Sequence, residues 1–317
     1  MVTDLVQHNK PLAYIIGKHP WLLAISSLLI VVLQMDRSPF AGTQPFYPLP
    51  RSLLVRPPTL IPRSETEHWL DHLASVLKRS TVLTRSDLPY NILDIGTGTG
   101  CIPLTLAHSL RHLHRPVHAI GVDQSDAAVQ LARENITRCG IDIPGRVDVV
   151  LGNLFAADFA ERIRGAAGLG AQEVGPSKGF DLVVSNPPYI PRRDFEGLAA
   201  SVREWEDRGA LIGELHPAPS LGPEPQPATS SPHTANSVTN AEEDDGLIFY
   251  RKITSILDQL LSADAGTGPG GRQPVVAFEV GQGQAGEVRG LLEARGYRAE
   301  AVDDQWGIQR LVLGFRM

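Results

Sequence analysis

The chain has 317 residues, a formal net charge of −6, a hydrophobic fraction of 42% and a charged fraction of 20%. This composition is ordinary for a globular protein and excludes collagen-like, coiled-coil and wholly disordered chains. Cys101 and Cys139 are the only cysteines, which excludes a disulfide scaffold and a zinc site built on paired cysteines. The mild acidic excess argues against a broad footprint on duplex DNA, which normally requires a basic face.

Two features precede residue 80. Residues 20–35 form an uncharged apolar run of 16 residues, which is shorter than the roughly 20 residues that a helix needs to cross a bilayer. Further on, Ser64 and Glu67 precede a helical pattern over residues 68–78. Their spacing is that of a capping box, in which the two side chains bind free N–H groups at a helix start. We therefore predict a capped helix at residues 68–78.

From residue 91 onward, short apolar runs alternate with helical patterns. This alternation predicts βαβ units and a parallel sheet that is covered by helices on both faces. The predicted strands are residues 91–96, 117–123, 146–152, 180–186, 274–280, 297–303 and 308–315. The predicted helices are residues 101–112, 125–138, 155–164, 246–261 and 284–295. The short link at residues 304–307 fits a hairpin, so we expect the last strand to be antiparallel.

Three stretches rich in glycine, proline or small residues predict loops, at residues 165–179, 213–244 and 265–274. The middle stretch carries six prolines and a run of polar residues. We predict that residues 213–244 are a disordered insertion. The acidic run Glu242–Asp245 at its end is predicted to be solvated.

A glycine-rich turn follows the first predicted strand of the sheet. Asp94 precedes the turn, which reads Gly96-Thr97-Gly98-Thr99-Gly100. Glycines let the backbone turn tightly and approach a ligand closely, and open α/β sheets bind ligands at the carboxyl ends of their strands. The spacing is G-x-G-x-G, so the dinucleotide pattern G-x-G-x-x-G is not met.

Acidic residues at two strand ends indicate which cofactor this turn binds. A carboxylate such as Asp94 suits a cationic ligand better than a pyrophosphate, and S-adenosylmethionine offers an ammonium and a sulfonium without a phosphate. Asp123 ends the second strand and can accept hydrogen bonds from both ribose hydroxyls. We predict S-adenosylmethionine, in preference to NAD, bound by Asp94, the glycine turn and Asp123. Asn153 and Leu154, after the third strand, are predicted to flank the adenine.

The fourth strand ends in Asn186-Pro187-Pro188-Tyr189, which predicts a site for an NH2 group. The side-chain oxygen of Asn186 and the carbonyl of Pro187 are acceptors, and prolines supply no N–H. Both hydrogens of a planar amide or amino group can be held while its nitrogen faces a methyl donor, which supplies proximity and stabilises positive charge on nitrogen. The ring of Tyr189 can cover the flat group. These four residues are the predicted catalytic site, and Asn186 is also expected to border the cofactor.

With these motifs the chain resembles the release factor glutamine methyltransferases (HemK/PrmC type). Other segments resemble the family in the same order. Leu60–Glu67 resembles I-P-R-P-E-T-E with Ser64 in place of Pro, Asp245–Tyr250 resembles D-G-L-x-F-Y, Glu279–Gln284 resembles E-[IV]-G-x-x-Q, and Asp303 and Arg310 lie where the family ends with D-x-x-G-x-x-R. DNA adenine and RNA guanine methyltransferases share N-P-P-Y but lack the first two of these segments.

The resemblance implies a class I methyltransferase fold, an α/β Rossmann-like sheet of seven mostly parallel strands with an antiparallel last strand. It implies transfer of a methyl group from S-adenosylmethionine to the side-chain amide nitrogen (N5) of the glutamine in the Gly-Gly-Gln loop of a peptide chain release factor. We expect a monomer without a nucleic-acid or membrane partner. The resemblance also implies a mitochondrial location, with a cytoplasmic location as the alternative.

The N-terminal region departs most from the family. Residues 10–17 resemble the P-x-x-Y-I-x-G motif of a helical lobe that helps to grip the release factor, and residues 18–42 separate this motif from Thr43–Phe46. Our hypothesis is that residues 18–42 are a translated intron and that residues upstream of Met1 are missing; a membrane anchor is the alternative. We assign residues 1–83 to a truncated substrate-recognition lobe and residues 84–317 to the methyltransferase domain. Asn153 stands in place of the family's usual Asp. Asp207 stands where the family often has a Pro after the Glu that corresponds to Glu206.

Two other functions stay open. A methyltransferase that acts on an exocyclic amino group of a nucleic acid (DNA adenine N6 or rRNA guanine N2) needs a basic groove or an extra reading domain, and the acidic sequence indicates neither. A chain that binds the cofactor without activity, because its N-terminal lobe is defective, is the other alternative. The histidines His108, His112, His114 and His118 cluster in sequence. We interpret them as a solvated helix end and predict no metal site.

Overall fold

The computed structural model describes residues 42–79, 89–112, 115–139, 145–169, 179–213, 245–267 and 273–317. The chain divides into two compact units, residues 1–42 and 43–317, and all described residues except Gly42 belong to the second. The apolar run at residues 20–35 and nearly all of the proposed intron and of the predicted insertion at 213–244 lie outside the described residues. In the part of the chain that is described, no helix is long and apolar enough to cross a membrane.

Strands and helices alternate along the described chain, as the apolar runs predict. The strands are β1 (Gly42–Gln44), β2 (Leu53–Val55), β3 (Tyr90–Ile95), β4 (Val117–Asp123), β5 (Gly145–Leu151), β6 (Leu182–Ser185), β7 (Pro274–Glu279), β8 (Tyr297–Asp303) and β9 (Gln309–Arg316). The helices are α1 (Ser64–Arg79), α2 (Cys101–Ser109), α3 (Asp126–Cys139), α4 (Phe159–Ala166), α5 (Ala200–Trp205), α6 (Arg208–Leu211), α7 (Ile248–Leu260) and α8 (Ala285–Glu293), with a 3-10 helix at Arg192–Gly197.

Seven of these strands form one sheet in the order β5-β4-β3-β6-β7-β9-β8, while β1 and β2 pair separately. The pairs from β5 to β7 are parallel, and β9 is antiparallel to both β7 and β8. Parallel neighbours end at the same edge, so the turns after β3, β4 and β6 lie side by side. The predicted fold class, with an antiparallel last strand, is confirmed.

Two apolar clusters cover the two faces of the sheet. Leu93 and Ile95 of β3 belong to a cluster that includes buried residues of α4, α7 and α8. Their neighbour Ile92 belongs to a cluster with α1 and α2. Because successive side chains of a strand point to opposite faces, Asp94 points to the same face as Ile92, under α1 and α2. Polar residues at this strand end are therefore covered by the first two helices.

The start of α1 differs from the predicted capping box. The helix begins at Ser64 itself, and the Ser64 hydroxyl donates to the Glu65 carboxylate at 2.9 Å. The N–H groups of Thr66 and Glu67 donate to the Arg63 carbonyl at 3.1 and 3.4 Å. Ser64 therefore lies inside the first turn, where its side chain is not the cap, and the prediction of a helix beginning at residue 68 is wrong by one turn.

Truncation of Leu73 tests the packing of α1 on the sheet. Leu73 is fully buried in the cluster that joins α1 to the sheet, so Leu73→Ala leaves a cavity. We expect the free energy of unfolding to fall by about 2–5 kcal/mol, measured by urea denaturation. Leu151→Ala is the control, because Leu151 is 47% exposed and its loss should cost less than about 1 kcal/mol. Equal losses for the two variants would contradict this packing.

Candidate active site

An open cleft lies at the carboxyl edge of the sheet and encloses about 1050 Å³ of empty space, its mouth included. Its walls combine the glycine turn after β3, the end of β4, the corner after β6 and three parts of the chain that the sequence motifs left without a role. These three parts are Pro58, Thr59 and Leu60 before α1, Thr66 within α1, and Asp207, Gly209 and Ala210 around the start of α6.

The glycine turn is held in the left-handed backbone region that glycine adopts without strain. Gly96, Gly98 and Gly100 have φ angles of 78°, 54° and 79°, and the Gly98 N–H donates to the Asp123 carboxylate at 2.9 Å. Gly96 and Thr97–Thr99 line the cleft, whereas Gly100 lies behind the turn, where an added Cβ would meet Ala132 at 3.2 Å. The turn thus presents bare backbone to the cleft.

Asp94 is fully buried behind this turn. Neither of its carboxylate oxygens makes a hydrogen bond of normal geometry within the described residues. Burial raises the pKa of this carboxyl to about 7, and the nearby Thr97 hydroxyl opposes the rise. A buried carboxylate that lacks well-formed hydrogen bonds is costly, and a cationic group is the natural complement. Asp94 does not itself line the cleft wall, so its charge acts on a ligand from behind the turn.

Asp123 lines the cleft at the end of β4. One carboxylate oxygen accepts from Gly98 N–H and the other from Ser125 N–H, both at 2.9 Å. Burial raises the pKa of this carboxyl, and these backbone donors oppose the rise. Each oxygen keeps a free lone pair for a hydroxyl donor. Asp94 and the glycine turn together fit the methionine end of S-adenosylmethionine with its ammonium group. Asp123 fits the ribose hydroxyls of the same cofactor.

The two residues predicted beside the adenine differ in position. Leu154 and Gly152 line the cleft. The side chain of Asn153 is exposed, and its oxygen accepts from Phe155 N–H at 2.9 Å in a local turn. Asn153 is not among the residues that line the cleft, and its predicted contact with the adenine stays a prediction. An Asx turn of this kind is the usual use of Asn after a strand.

The corner after β6 opens into the same cleft. Asn186, Pro187 and Pro188 line it, and a Cβ added to Gly96 would lie 3.8 Å from the Asn186 carbonyl oxygen. The Ser185 hydroxyl donates to the Ile95 carbonyl at 2.6 Å and joins the ends of the two strands. The corner and the glycine turn are therefore neighbours, as predicted.

Tyr189 does not line the cleft, and its predicted position over a substrate group stays a prediction. Its side chain packs against the core cluster of α7 and α8, and burial raises the pKa of its phenol. Its carbonyl accepts from the Gln284 amide at 2.9 Å, and Gln284 also accepts from Gly281 N–H at 3.1 Å. Tyr189 therefore anchors the corner, and the observed contacts do not place its ring over a substrate.

Gly246 makes this anchor possible. It has a φ of 76°, and an added Cβ would overlap the Tyr189 carbonyl oxygen and approach the Gln284 amide nitrogen to 2.9 Å. The same glycine contacts Gly213, whose added Cβ would lie 2.7 Å from the Gly246 carbonyl oxygen. Gly213 and Gly246, which lie on the two sides of the 214–244 segment, thus meet behind the corner.

Several residues of the site were missed by the motif analysis. Thr66 lines the cleft and Glu279 lies beneath it, hydrogen-bonded to Thr66. Both belong to segments that resemble the family, so the sequence marked these positions. It did not indicate what the two side chains do. Phe249, from the D-G-L-x-F-Y segment, also lines the cleft. Asp207 lies close enough to Asp123 to raise its pKa further, and its N–H donates to the Pro58 carbonyl at 2.9 Å.

Three minor predictions can be compared with the structure. Within the described ranges, which omit His114, no group of three or more His, Cys, Asp or Glu side chains could hold a metal ion. Both cysteines are buried and free, and Cys101 lines the cleft. Asp245 accepts from the Arg251 guanidinium and from Leu247 N–H, so the prediction of a solvated acidic run is wrong at this residue. Residues 242–244 lie outside the described part of the chain.

The sheet order, the glycine turn and the acidic strand ends define a class I methyltransferase that uses S-adenosylmethionine. A family model described as a methyltransferase domain matches residues 87–250. A release factor glutamine methyltransferase of Geobacter sulfurreducens is 34% identical, with the alignment covering 86% of this chain and 70% of that protein. One from Bacillus anthracis is 31% identical over 86% of this chain and 73% of its own length.

A third relative is eukaryotic. The mitochondrial MRF1 N(5)-glutamine methyltransferase of Saccharomyces cerevisiae is 34% identical over 55% of this chain and 48% of its own length. The chain belongs to the release factor glutamine methyltransferase family. The predicted family and its cofactor are confirmed.

Asp94→Asn tests the buried carboxylate. The folded protein holds a proton on Asp94 up to a pKa of about 7, against an ordinary value of 3.8, so its contribution to stability is complete below about pH 4 and is lost as the pH rises to 7. The variant removes this loss. At about pH 8 we expect a melting temperature at least ~2 °C above the parent's and an affinity for S-adenosylmethionine at least about tenfold lower, measured by thermal denaturation and calorimetry.

The exposed residue Asp71 provides the control, because Asp71→Asn should change neither quantity. A variant at residue 94 that is less stable than the parent at about pH 8, or that keeps full affinity, would show that Asp94 is not an unpaired carboxylate facing the cofactor.

Gly246→Ala tests the anchor of the corner. The added Cβ displaces the Tyr189 carbonyl or the Gln284 amide, so we expect a loss of about 2 kcal/mol or more in stability and a fall of at least about tenfold in methyl transfer. Gly283→Ala is a matched control, because Gly283 has a φ of 87° but nothing within 4 Å of its added Cβ. The control isolates backbone strain, and equal effects of the two variants would exclude the clash as the cause.

Proposed function

We propose that this protein transfers a methyl group from S-adenosylmethionine to the side-chain amide nitrogen (N5) of the glutamine in the Gly-Gly-Gln loop of a peptide chain release factor. The single observation that carries the proposal is the shared cleft, in which Asn186, Pro187 and Pro188 adjoin the glycine turn. One group of residues holds the cofactor, and the other holds an NH2 group beside it.

The corner suits a carboxamide because it offers acceptors and few donors. Pro187 and Pro188 have no N–H, the Asn186 side chain provides one oxygen, and the Pro187 carbonyl provides a second. A carboxamide nitrogen is a poor nucleophile because its lone pair is delocalised. Two acceptors on its hydrogens fix its plane and stabilise the positive charge that grows on nitrogen. The bound cofactor supplies an electrophilic methyl group, and the protein supplies the orientation.

The proton that leaves the nitrogen needs no dedicated base. Of the carboxylates that line the cleft, Asp123 binds two backbone N–H groups and Asp207 accepts from Gly209 N–H at 2.8 Å. Cys101 also lines the cleft, but burial raises the pKa of its thiol to about 12, which leaves it protonated. An amide nitrogen that has gained a methyl group is strongly acidic, and the cleft is open to water. We therefore assign the proton to solvent.

The relatives support the protein substrate over a nucleic acid. The bacterial relatives are named for release factors, and the yeast relative is named as a mitochondrial MRF1 N(5)-glutamine methyltransferase. The net charge of −6 disfavours a phosphate backbone as partner. We propose a mitochondrial release factor as the partner and a mitochondrial location, and we propose residues 1–83 as the region that contributes to its recognition.

Labelled methyl transfer tests the proposal. Incubation of the full chain with methyl-labelled S-adenosylmethionine and a mitochondrial release factor should label the factor, and a Gln→Ala change in the Gly-Gly-Gln loop should abolish the label. Asn186→Ala should lower kcat by about 100-fold or more, whereas Asp71→Asn, which alters an exposed side chain outside the cleft, should leave it unchanged. Label that persists on the loop variant, or that appears on DNA or RNA controls, would refute the assignment.

A further inference from the structure

A chain of buried hydrogen bonds runs under the substrate corner. The Thr66 hydroxyl donates to Glu279 Oε2 at 2.6 Å, and the Trp69 indole N–H donates to the same oxygen at 2.6 Å. On its other side, the Thr66 oxygen accepts from Asn186 Nδ2 at 3.5 Å. Thr66 and Glu279 are 1% and 2% exposed, so bulk water does not compete for these groups.

The directions of these bonds are fixed by the proton inventory of each group. An indole N–H only donates, so the Glu279 oxygen that it reaches is an acceptor. The Thr66 hydroxyl has one proton, and that proton is directed to Glu279. The Thr66 oxygen can therefore only accept from its other neighbours through its lone pairs. Its contact with Asn186 thus requires Asn186 to be the donor. The carboxamide of Asn186 must therefore present its NH2 to Thr66.

The other end of the Asn186 carboxamide follows from this. With its nitrogen turned to Thr66, its oxygen is turned away from Thr66, and Asn186 lines the cleft. An Asn side chain turned the other way would present NH2 to a substrate NH2, donor against donor. A cleft that binds an amide by its hydrogens needs the oxygen, and the sequence Asn186-Pro187 alone does not determine which end faces the cleft.

We propose that Thr66 and Glu279 are positioning residues that set the orientation of the Asn186 carboxamide, so that its oxygen receives the substrate amide. The inference rests on the proposed function, because it concerns the same reaction. Trp69 holds the receiving carboxylate in place, and α1 carries both Thr66 and Trp69. The first helix of the described chain thus belongs to the catalytic apparatus through these contacts.

Thr66→Val and Thr66→Ser form the first test, with the release factor as substrate. Valine keeps the shape of threonine and removes the hydroxyl, so the Asn186 carboxamide loses its orientation. We expect kcat to fall at least about tenfold, with a cofactor affinity close to the parent's and a melting temperature lower by a few degrees, because Glu279 loses one of its two donors. Serine keeps the hydroxyl and should recover most of kcat. Full kcat in Thr66→Val, or a Thr66→Ser variant as impaired as Thr66→Val, would overturn the proposal.

Reversal of the hydrogen-bond direction is the second test. Asn186→Asp replaces the NH2 by an acceptor, and the single Thr66 proton cannot serve two carboxylates. In the double variant Asn186→Asp with Glu279→Leu, Thr66 no longer has the carboxylate at 279 as its acceptor, and its proton turns to residue 186. We expect the double variant to have at least about tenfold higher kcat than Asn186→Asp alone. A double variant no faster than the single one would overturn the proposal.

Glu279→Leu alone serves if a variant at residue 66 fails to fold. A leucine at 279 removes the acceptor of the Thr66 proton, so the hydroxyl can point either way, and kcat should fall while the KM for the release factor changes less. An unchanged kcat would overturn the proposal. The parent enzyme separates the two proposals, because a parent that does not methylate the release factor refutes the function, whereas an active parent with insensitive variants refutes only the positioning role.

Discussion

The site depends on one constraint, the side-by-side ending of the parallel strands β3 and β6. Hydrogen bonding between them pairs Ile95 with Ser185 at the end of both strands. The Ser185 hydroxyl also donates to the Ile95 carbonyl. The chain then leaves β3 as the glycine turn and leaves β6 as the Asn-Pro-Pro corner. The methyl donor and the methyl acceptor can meet only because these two turns begin at paired residues on the same edge of the sheet. Loop sequence alone does not supply that alignment; the buried apolar strands do.

Two buried carboxylates, Glu279 and Asp94, point to the same face of the sheet near this edge. They differ in their hydrogen bonding. Glu279 receives two donors from α1, so the protein itself completes its hydrogen bonding. Asp94 is left without well-formed hydrogen bonds, which lowers the stability of the folded chain until a cation completes the site. Ligand binding of this kind stabilises the fold by an amount that grows with the logarithm of the ligand concentration above Kd. The unsatisfied group is the one assigned to the cofactor, and the satisfied group is the one that supports Asn186.

The strands and the two turns could be predicted from the sequence because apolar runs and glycine spacing are local signals. All seven strands of the sheet lie within two residues of their predicted bounds. The cofactor and the family followed from residues that cluster at strand ends. The capping box failed because Ser64-x-x-Glu67 fits two helix registers, and tertiary contacts of Thr66 and Trp69 select the earlier start.

The other site residues depend on contacts that the sequence pattern does not show. The side chain of Asn153 accepts locally from Phe155 N–H. The Tyr189 carbonyl is fixed by Gln284, 95 residues away, and pattern analysis of one strand end cannot anticipate such a contact. Thr66 and Glu279 are 213 residues apart in sequence. Their role can be recognised only from the folded chain, where Thr66 contacts both Glu279 and Asn186. The sequence thus located the site, whereas the internal orientation of its groups required the structure.

The contact between Gly213 and Gly246 has a consequence for how this enzyme family can vary. The described chain ends at Gly213 and resumes at Asp245, and Gly213 approaches Gly246 to van der Waals distance, so a segment inserted between them begins and ends at one place. Lengthening such a segment costs little free energy and exerts no pull on its base. Evolution can therefore extend, shorten or redecorate this segment without re-tuning the chemistry, provided that the pair of side-chain-free residues at the base is retained.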